Sequence, residues 1–172
     1  MLWSRRAALL LAAALLTGAG CGFQPLYGGG ARNPTVAELN RIQIGQIPEQ
    51  VGQELRNHLI DRMSTAPTGT PALYYLSVEI NQSQSALAIQ FDDRITRYNL
   101  AMNAAFTLTE LATGQVIYQN GARATGSYNV VDSDYATLVS EHDAEKRAAR
   151  EISEEIVILI SVFFSRRLDG AG

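Results

Sequence analysis

A chain of 172 residues with 47% apolar and 18% charged side chains has the composition of one globular domain, not of a disordered or fibrous protein. One cysteine and two histidines exclude a disulfide framework and a multi-thiolate or His-rich metal centre. A net charge of −3 argues against nucleic acid as a partner, which calls for a basic excess.

Residues 1–20 read as a signal peptide. Arg5 and Arg6 precede an unbroken apolar run, Ala7 to Leu16, then small residues, Thr17-Gly18-Ala19-Gly20, and the lone Cys21. Such a run is about half the length that spans a bilayer. A cysteine directly after small residues reads as a lipobox, in which the thiol is acylated and becomes the mature N-terminus. Gly18 stands where leucine is usual, three residues before the cysteine. That leaves an ordinary secretory signal with a cysteine nearby as the other reading. Cleavage before Cys21 would leave 12 cations against 17 carboxylates, no free thiol and no tryptophan. Acyl chains contribute ~0.8 kcal/mol per buried methylene, so two or three anchor a small domain firmly. Gly22 after the cysteine, rather than Asp, favours sorting to the outer membrane.

Residues 21–34, with Gly28-Gly29-Gly30 and two prolines, have little periodicity and read as a tether. A domain is expected over 35–168, with a short tail at 169–172. Within Leu39 to Ile47, Ile42 and Ile44 alternate with Gln43 and Gly45 as a short strand. Pro48 is suited to the first turn of a helix, and Val51, Leu55, Leu59 and Met63 recur every fourth residue to about Ser64. Thr65 to Pro71 is a loop.

From Leu73 the period becomes two, with Tyr74, Leu76, Val78 and Ile80 on one face. The apolar set then changes parity to Leu87, Ile89 and Phe91, which predicts a bulge or turn among Gln82 to Ala86. Tyr98, Leu100, Met102, Ala104, Phe106 and Leu108 form the clearest strand, with Asn99, Asn103, Thr107 and Thr109 opposite. Thr113-Gly114 closes a hairpin into Val116, Tyr118, Ala122, Ala124 and Tyr128. A long helix follows, about Tyr135 to Arg167, capped by Ser133 or Asp134. Its stripe runs through Leu138, His142, Ala149, Ile152, Ile156, Leu159 and Phe163, and beyond Ile156 it is apolar nearly all round, which requires a second buried surface.

The fold class is therefore α+β, in the order β-α-β-β-β-α, with two helices on one face of a four-stranded mixed sheet. No internal repeat is present.

No enzyme signature emerges. His58 with Asp61, and His142 with Glu145, are helical neighbours, but no nucleophile elbow accompanies them, and structural or surface roles account for both histidines. Neither Asp92-Asp93 nor Asp132 and Asp134 have the spacing of a calcium loop, and the glycine run neither follows a strand nor opens a helix. No cofactor is implied. The arginines offer more. Arg94 and Arg97 lie where the third strand begins and Arg123 lies mid-strand in the fourth, spread along one sheet region. Lys146, Arg147 and Arg150 form a basic patch on the last helix. Arginine forks grip phosphate bidentately, so these six are candidates for holding a phosphorylated glycolipid. The competing reading is a solvated face of intrahelical ion pairs.

Cys21-Gly22-Phe23-Gln24-Pro25-Leu26-Tyr27 after the lipobox, Thr96-Arg97-Tyr98-Asn99-Leu100, Gly126-Ser127-Tyr128-Asn129, and Tyr135-Ala136, Asp143-Ala144 and Ala148-Ala149 in the last helix occur in this order. Together they resemble the LptE family of lipopolysaccharide-assembly lipoproteins, alphaproteobacterial type, over essentially the whole chain. The resemblance implies a non-catalytic outer-membrane lipoprotein. It would plug the lumen of the LptD β-barrel, help that barrel assemble and assist lipopolysaccharide transport to the outer leaflet. It also implies phosphate-contacting cations, for which Arg97, Lys146, Arg147 and Arg150 are the nearest candidates. Asn99, Asn103, Thr107, Thr109, Gln119, Thr125 and Ser127 suit contact with a polar barrel interior. The alternative is an accessory periplasmic lipoprotein that binds a transporter or a cell-wall enzyme.

Overall fold

The computed structural model describes residues 33–64, 71–89 and 95–170. The elements are α1 (Pro34–Leu39), β1 (Ile42–Ile44), α2 (Glu49–Met63), β2 (Tyr74–Ile89), β3 (Ile95–Glu110), β4 (Val116–Asn129) and α3 (Asp134–Asp169). This is the expected α+β order preceded by one short helix. The tether ran to Pro34 in the sequence reading, but Pro34 is the first residue of α1. Asn33 caps it, its side chain accepting the Thr35 N–H at 2.9 Å. A six-residue helix shows no apolar period, so nothing in the local pattern marked it. The rest of the tether and the signal segment lie outside the described residues.

The strands run in the order β1-β2-β3-β4. β1 pairs with β2 in parallel, from Ile42 opposite Tyr74 to Ile44 opposite Leu76. The other pairs are antiparallel. β1 covers only the first rungs of β2. At Gly45 its chain turns away, because α2 must cross to the helical side. A Cβ on Gly45 would sit 2.5 Å from the Tyr75 hydroxyl and 3.2 Å from the Leu76 carbonyl oxygen, so a larger residue there would have to displace the Tyr75 ring.

β2 continues straight through Gln82 to Ala86. The expected break there is displaced to register shifts around Ala86, Ala88 and Ile89. The polar residues Gln82 and Gln84 hold the inward parity where the hydrophobic pattern lapses, and Leu87 is 59% exposed. In the β3–β4 hairpin, Gly114 takes φ 68°, the left-handed value glycine adopts without steric cost. Glu110 N–H donates to the Gln115 carbonyl at the turn, one register shift follows between Leu108 and Thr109, and Arg97 then lies opposite Asn129 and Arg123 opposite Asn103.

The buried core lies between the even-numbered face of the sheet and the helices. Leu55, Leu59 and Met63 of α2 meet Leu76, Met102, Phe106 and Leu108 from the sheet and Ile152, Ile156 and Ile160 of α3. Each such side chain contributes roughly 1.5–3 kcal/mol through burial. A second, smaller cluster joins Leu100, Tyr128 and Ala144. The stripe of α3 keeps the expected Ala149, Ile152 and Ile156 but differs at its start. Ala144, Ala148 and Ala149 point inward, while Leu138 is 50% exposed. The apolar second half is buried in part, on Phe164, Val157 and Ile160, but Ile158 remains exposed. Two buried serines, Ser153 and Ser161, donate to the carbonyls of Arg150 and Val157 at 2.6 Å, so neither hydroxyl is unsatisfied in the core. The Ser133 hydroxyl accepts from Ala136 N–H and caps α3.

The chain enters the domain at one end of the sheet. The Tyr74 hydroxyl donates to Glu38 of α1 at 2.9 Å and its ring packs 5.1 Å from Phe164, near the end of α3. Arg97 lies at the opposite end of β3, roughly 40 Å away at ~3.3 Å per residue.

Candidate functional site

No helix among the described residues covers the odd-numbered side of the sheet. Along it lie Ser77, Glu79, Asn81, Ser83 and Ser85 of β2, Asn99, Asn103, Thr107 and Thr109 of β3, and Gln119, Arg123, Thr125 and Ser127 of β4. The face is therefore a sheet of amides and hydroxyls. Its charged side chains, among the described residues, are Glu79, Arg97 and Arg123. The sequence reading picked this face correctly because strict alternation fixes it once one parity is apolar.

Arg97 and Arg123 stand on this surface six rungs apart, about 20 Å. Both are exposed, and neither has an ion-pair partner among the described residues. The backbone N–H of Arg123 donates to Glu155 of α3 at 3.0 Å. Arg94 lies outside the described residues.

The helix cations are placed differently. Lys146 Nζ is 3.7 Å from Glu54 of α2, Arg147 pairs with Asp143, and Arg150 Nε reaches Glu154 at 3.4 Å. Glu154 also receives Arg62 of α2 at 2.5 Å. Its hydrogen bond to the Arg62 guanidinium, helped by Arg150, holds its carboxyl below the usual range. These cations thus lie on the helical side, and each has a carboxylate partner within α3 or across to α2. Arg62, Glu154, Val157 and Ile158 line a groove of about 310 Å³ between the two helices. The Arg62–Glu154 link joins residues 92 positions apart, and no linear pattern announces it.

His142 borders a small cleft with Gln50, Val51, Glu54, Glu145 and Lys146. Burial pushes the Glu145 carboxyl up, His142 opposes the shift, and Glu141 and Glu49 add to it. The cleft, of about 10 Å³, is the size of a single water. His58 is half-buried and Asp61 exposed on α2, with no hydrogen bond between them among the described residues. No cluster of three or more His, Cys, Asp or Glu that could hold a metal ion occurs among those residues.

These features describe an α+β layer with a polar open sheet face. Its sequence matches the family described as "LptE: Lipopolysaccharide-assembly" over residues 39–160, and the chain belongs to that family of non-catalytic lipopolysaccharide-assembly lipoproteins. Its role is thus in lipopolysaccharide assembly, in partnership with the transport machinery. The fold is shared with a putative lipoprotein from Caulobacter crescentus at 22% identity and TM-score 0.62, covering 76% of this chain and 96% of that one. The rare lipoprotein B from Shewanella oneidensis is similar at 11% identity and TM-score 0.55, over 74% and 96%. A minor lipoprotein from Acinetobacter baumannii is similar at 17% identity and TM-score 0.53, over 72% and 92%. No curated protein sequence matches the chain.

Proposed function

We propose that the chain is an outer-membrane lipoprotein, acylated on Cys21 after loss of residues 1–20, that plugs the lumen of the LptD β-barrel. There it helps the barrel assemble and assists passage of lipopolysaccharide to the outer leaflet. The observation that carries this reading is the open sheet face. A barrel interior is polar and wet, and amides and hydroxyls meet it without leaving buried ions unpaired. The entry of the chain beside α1, at the far end from Arg97, agrees with a tether of residues 21–33 holding one end of the domain near the membrane. Arg97 and Arg123 are the first candidates for lipid phosphate, since they stand on the open face without carboxylate partners among the described residues. Lys146, Arg147 and Arg150 would have to exchange an existing ion pair for phosphate.

Co-purification tests the plug. Detergent extraction of the full chain from its host should recover a large β-barrel with it, and mass spectrometry should find Cys21 acylated. Recovery only with inner-membrane proteins, and a bare Cys21, would overturn the reading in favour of an accessory periplasmic lipoprotein. For the cations, Arg97→Glu should weaken lipopolysaccharide binding more than Lys146→Glu. Equal binding by both variants and the unaltered chain at low salt would remove them as contacts.

A further inference from the structure

The sheet has two long edges, and they are not alike. β4 is an edge along its whole length, but side chains guard its centre. Glu155 accepts the outward N–H of Arg123, and the Asn120 side chain accepts that of Gly121 at 2.8 Å. The other edge is β2 beyond the three residues that β1 covers. Tyr74 N–H donates outward to the Arg41 carbonyl, and the Leu76 carbonyl accepts outward from Gly45 N–H. Alternation then turns the N–H and C=O of Val78, Ile80, Gln82 and Gln84 to the same outer side. No described element lies alongside them, and no guard of the β4 kind is present among the described residues. From Ile80 to Ile89 the strand holds no charge and no proline, the devices that usually blunt an edge. The strand is also held firm at its far end, because the Gln84 amide donates to Glu141 of α3 at 2.6 Å and its carbonyl accepts from Tyr128 at 3.0 Å.

We propose that the outer edge of β2, from Val78 to Gln84, takes up an extended segment of the barrel partner as an added strand. Donors and acceptors repeating every ~6.7 Å along a straight edge match only another extended backbone. This rests on the plug reading above and adds the mode of contact. The staves of a closed barrel already spend their backbone groups on one another, so the added strand is a loop of the barrel that enters its lumen. Its neighbours on the open face are Glu79, then Asn81, Ser83 and Ser85, and the last three fit a segment rich in hydroxyls and amides.

The test uses the full chain co-expressed with its barrel. Amide exchange at Val78, Ile80, Gln82 and Gln84 should slow by about tenfold or more in the complex relative to the chain alone. Gln82→Pro removes one outward donor, a change that edge strands tolerate, and should lower recovery of the complex by about tenfold while far-UV circular dichroism is unchanged. If that variant does not fold, the exchange comparison on the unaltered chain decides. A barrel that co-purifies while these four amides exchange as fast as in the free chain would overturn this inference alone. Failure of any barrel to co-purify overturns it together with the plug reading. Protection that appears in the chain alone and grows with its concentration would assign the edge to a second copy and overturn the choice of occupant.

Discussion

The Tyr128 hydroxyl donates to the side-chain carbonyl of Gln84 across the width of β3, at 3.0 Å. Gln84 in turn donates to Glu141, so one amide ties β4, β2 and α3 together above the small cluster of Leu100, Tyr128 and Ala144. Burial, then the charges of nearby Glu141, push the Tyr128 hydroxyl above its ordinary pKa. Tyr128→Phe keeps the ring and deletes one bond. It should lower unfolding free energy by about 0.5–1.5 kcal/mol, read from the urea midpoint, and an unchanged midpoint would show the link to be idle.

Gly52 sets steric fit against helix propensity. Alanine is worth up to ~1 kcal/mol over glycine inside a helix. A Cβ at Gly52, however, would lie 2.7 Å from Ile47 Cγ2 and 2.9 Å from the Ile47 carbonyl, and backbone cannot swing aside as a side chain can. Overpacking of this kind costs about 1–3 kcal/mol. Gly52→Ala should therefore destabilise despite its better propensity. A raised thermal midpoint would mean that the α2 entry shifts freely.

Ile156 and Ile158 test the orientation of α3. Ile156 is fully buried and Ile158 is 52% exposed. Ile156→Ala should cost about 2–5 kcal/mol, and Ile158→Ala within about 0.5 kcal/mol of nothing. Comparable losses in denaturant titrations of the two variants would contradict the burial of Ile156 against the exposure of Ile158.

Glu145 and Glu154 respond to pH in opposite senses. The folded Glu145 has a raised pKa, so ionising it opposes folding, and that loss develops as pH rises through its folded value. Glu145→Gln should stabilise the domain at about pH 7 relative to the parent, and lose that advantage below the carboxylate range. Glu154 has a lowered pKa. Its stabilising effect is present above the unfolded carboxylate value and fades as pH falls through the folded one. Glu154→Gln should be destabilising near neutrality and neutral in acid, with the effect small because the group is solvent-exposed. Urea midpoints across the acid range that move the two variants in the same direction would refute this assignment.

The sheet was readable because period-two alternation over β3 is long and unbroken, and it fixed which residues face outward. Thr113-Gly114 marked the hairpin, but the turn closes on Glu110 and Gln115 and a bulge follows between Leu108 and Thr109, and no residue type signals either. α1 was missed because six residues carry no period, and the break in β2 was misplaced because Gln82 and Gln84 are polar on an inward parity. Their hydrogen-bonding role needs Glu141 and Tyr128, which are remote in the chain. Among the candidate cations, spacing alone grouped Lys146, Arg147 and Arg150 as a patch. Their carboxylate partners sit one helical turn away or on α2, so the group forms ion pairs. The intrahelical pairing weighed for this face does occur, on Asp143 and Glu154.

The division of the interior into a large and a small cluster bears on how the domain breathes. Among the described residues, Tyr98 and Val130 add the apolar cover around Leu100, Tyr128 and Ala144, a thinner core than the main one, and regions with fewer buried apolar contacts open at lower cost than global unfolding. A lipid headgroup, or a strand seated on β2, could be admitted there by local melting while the main core stays closed around Ile152 and Phe106.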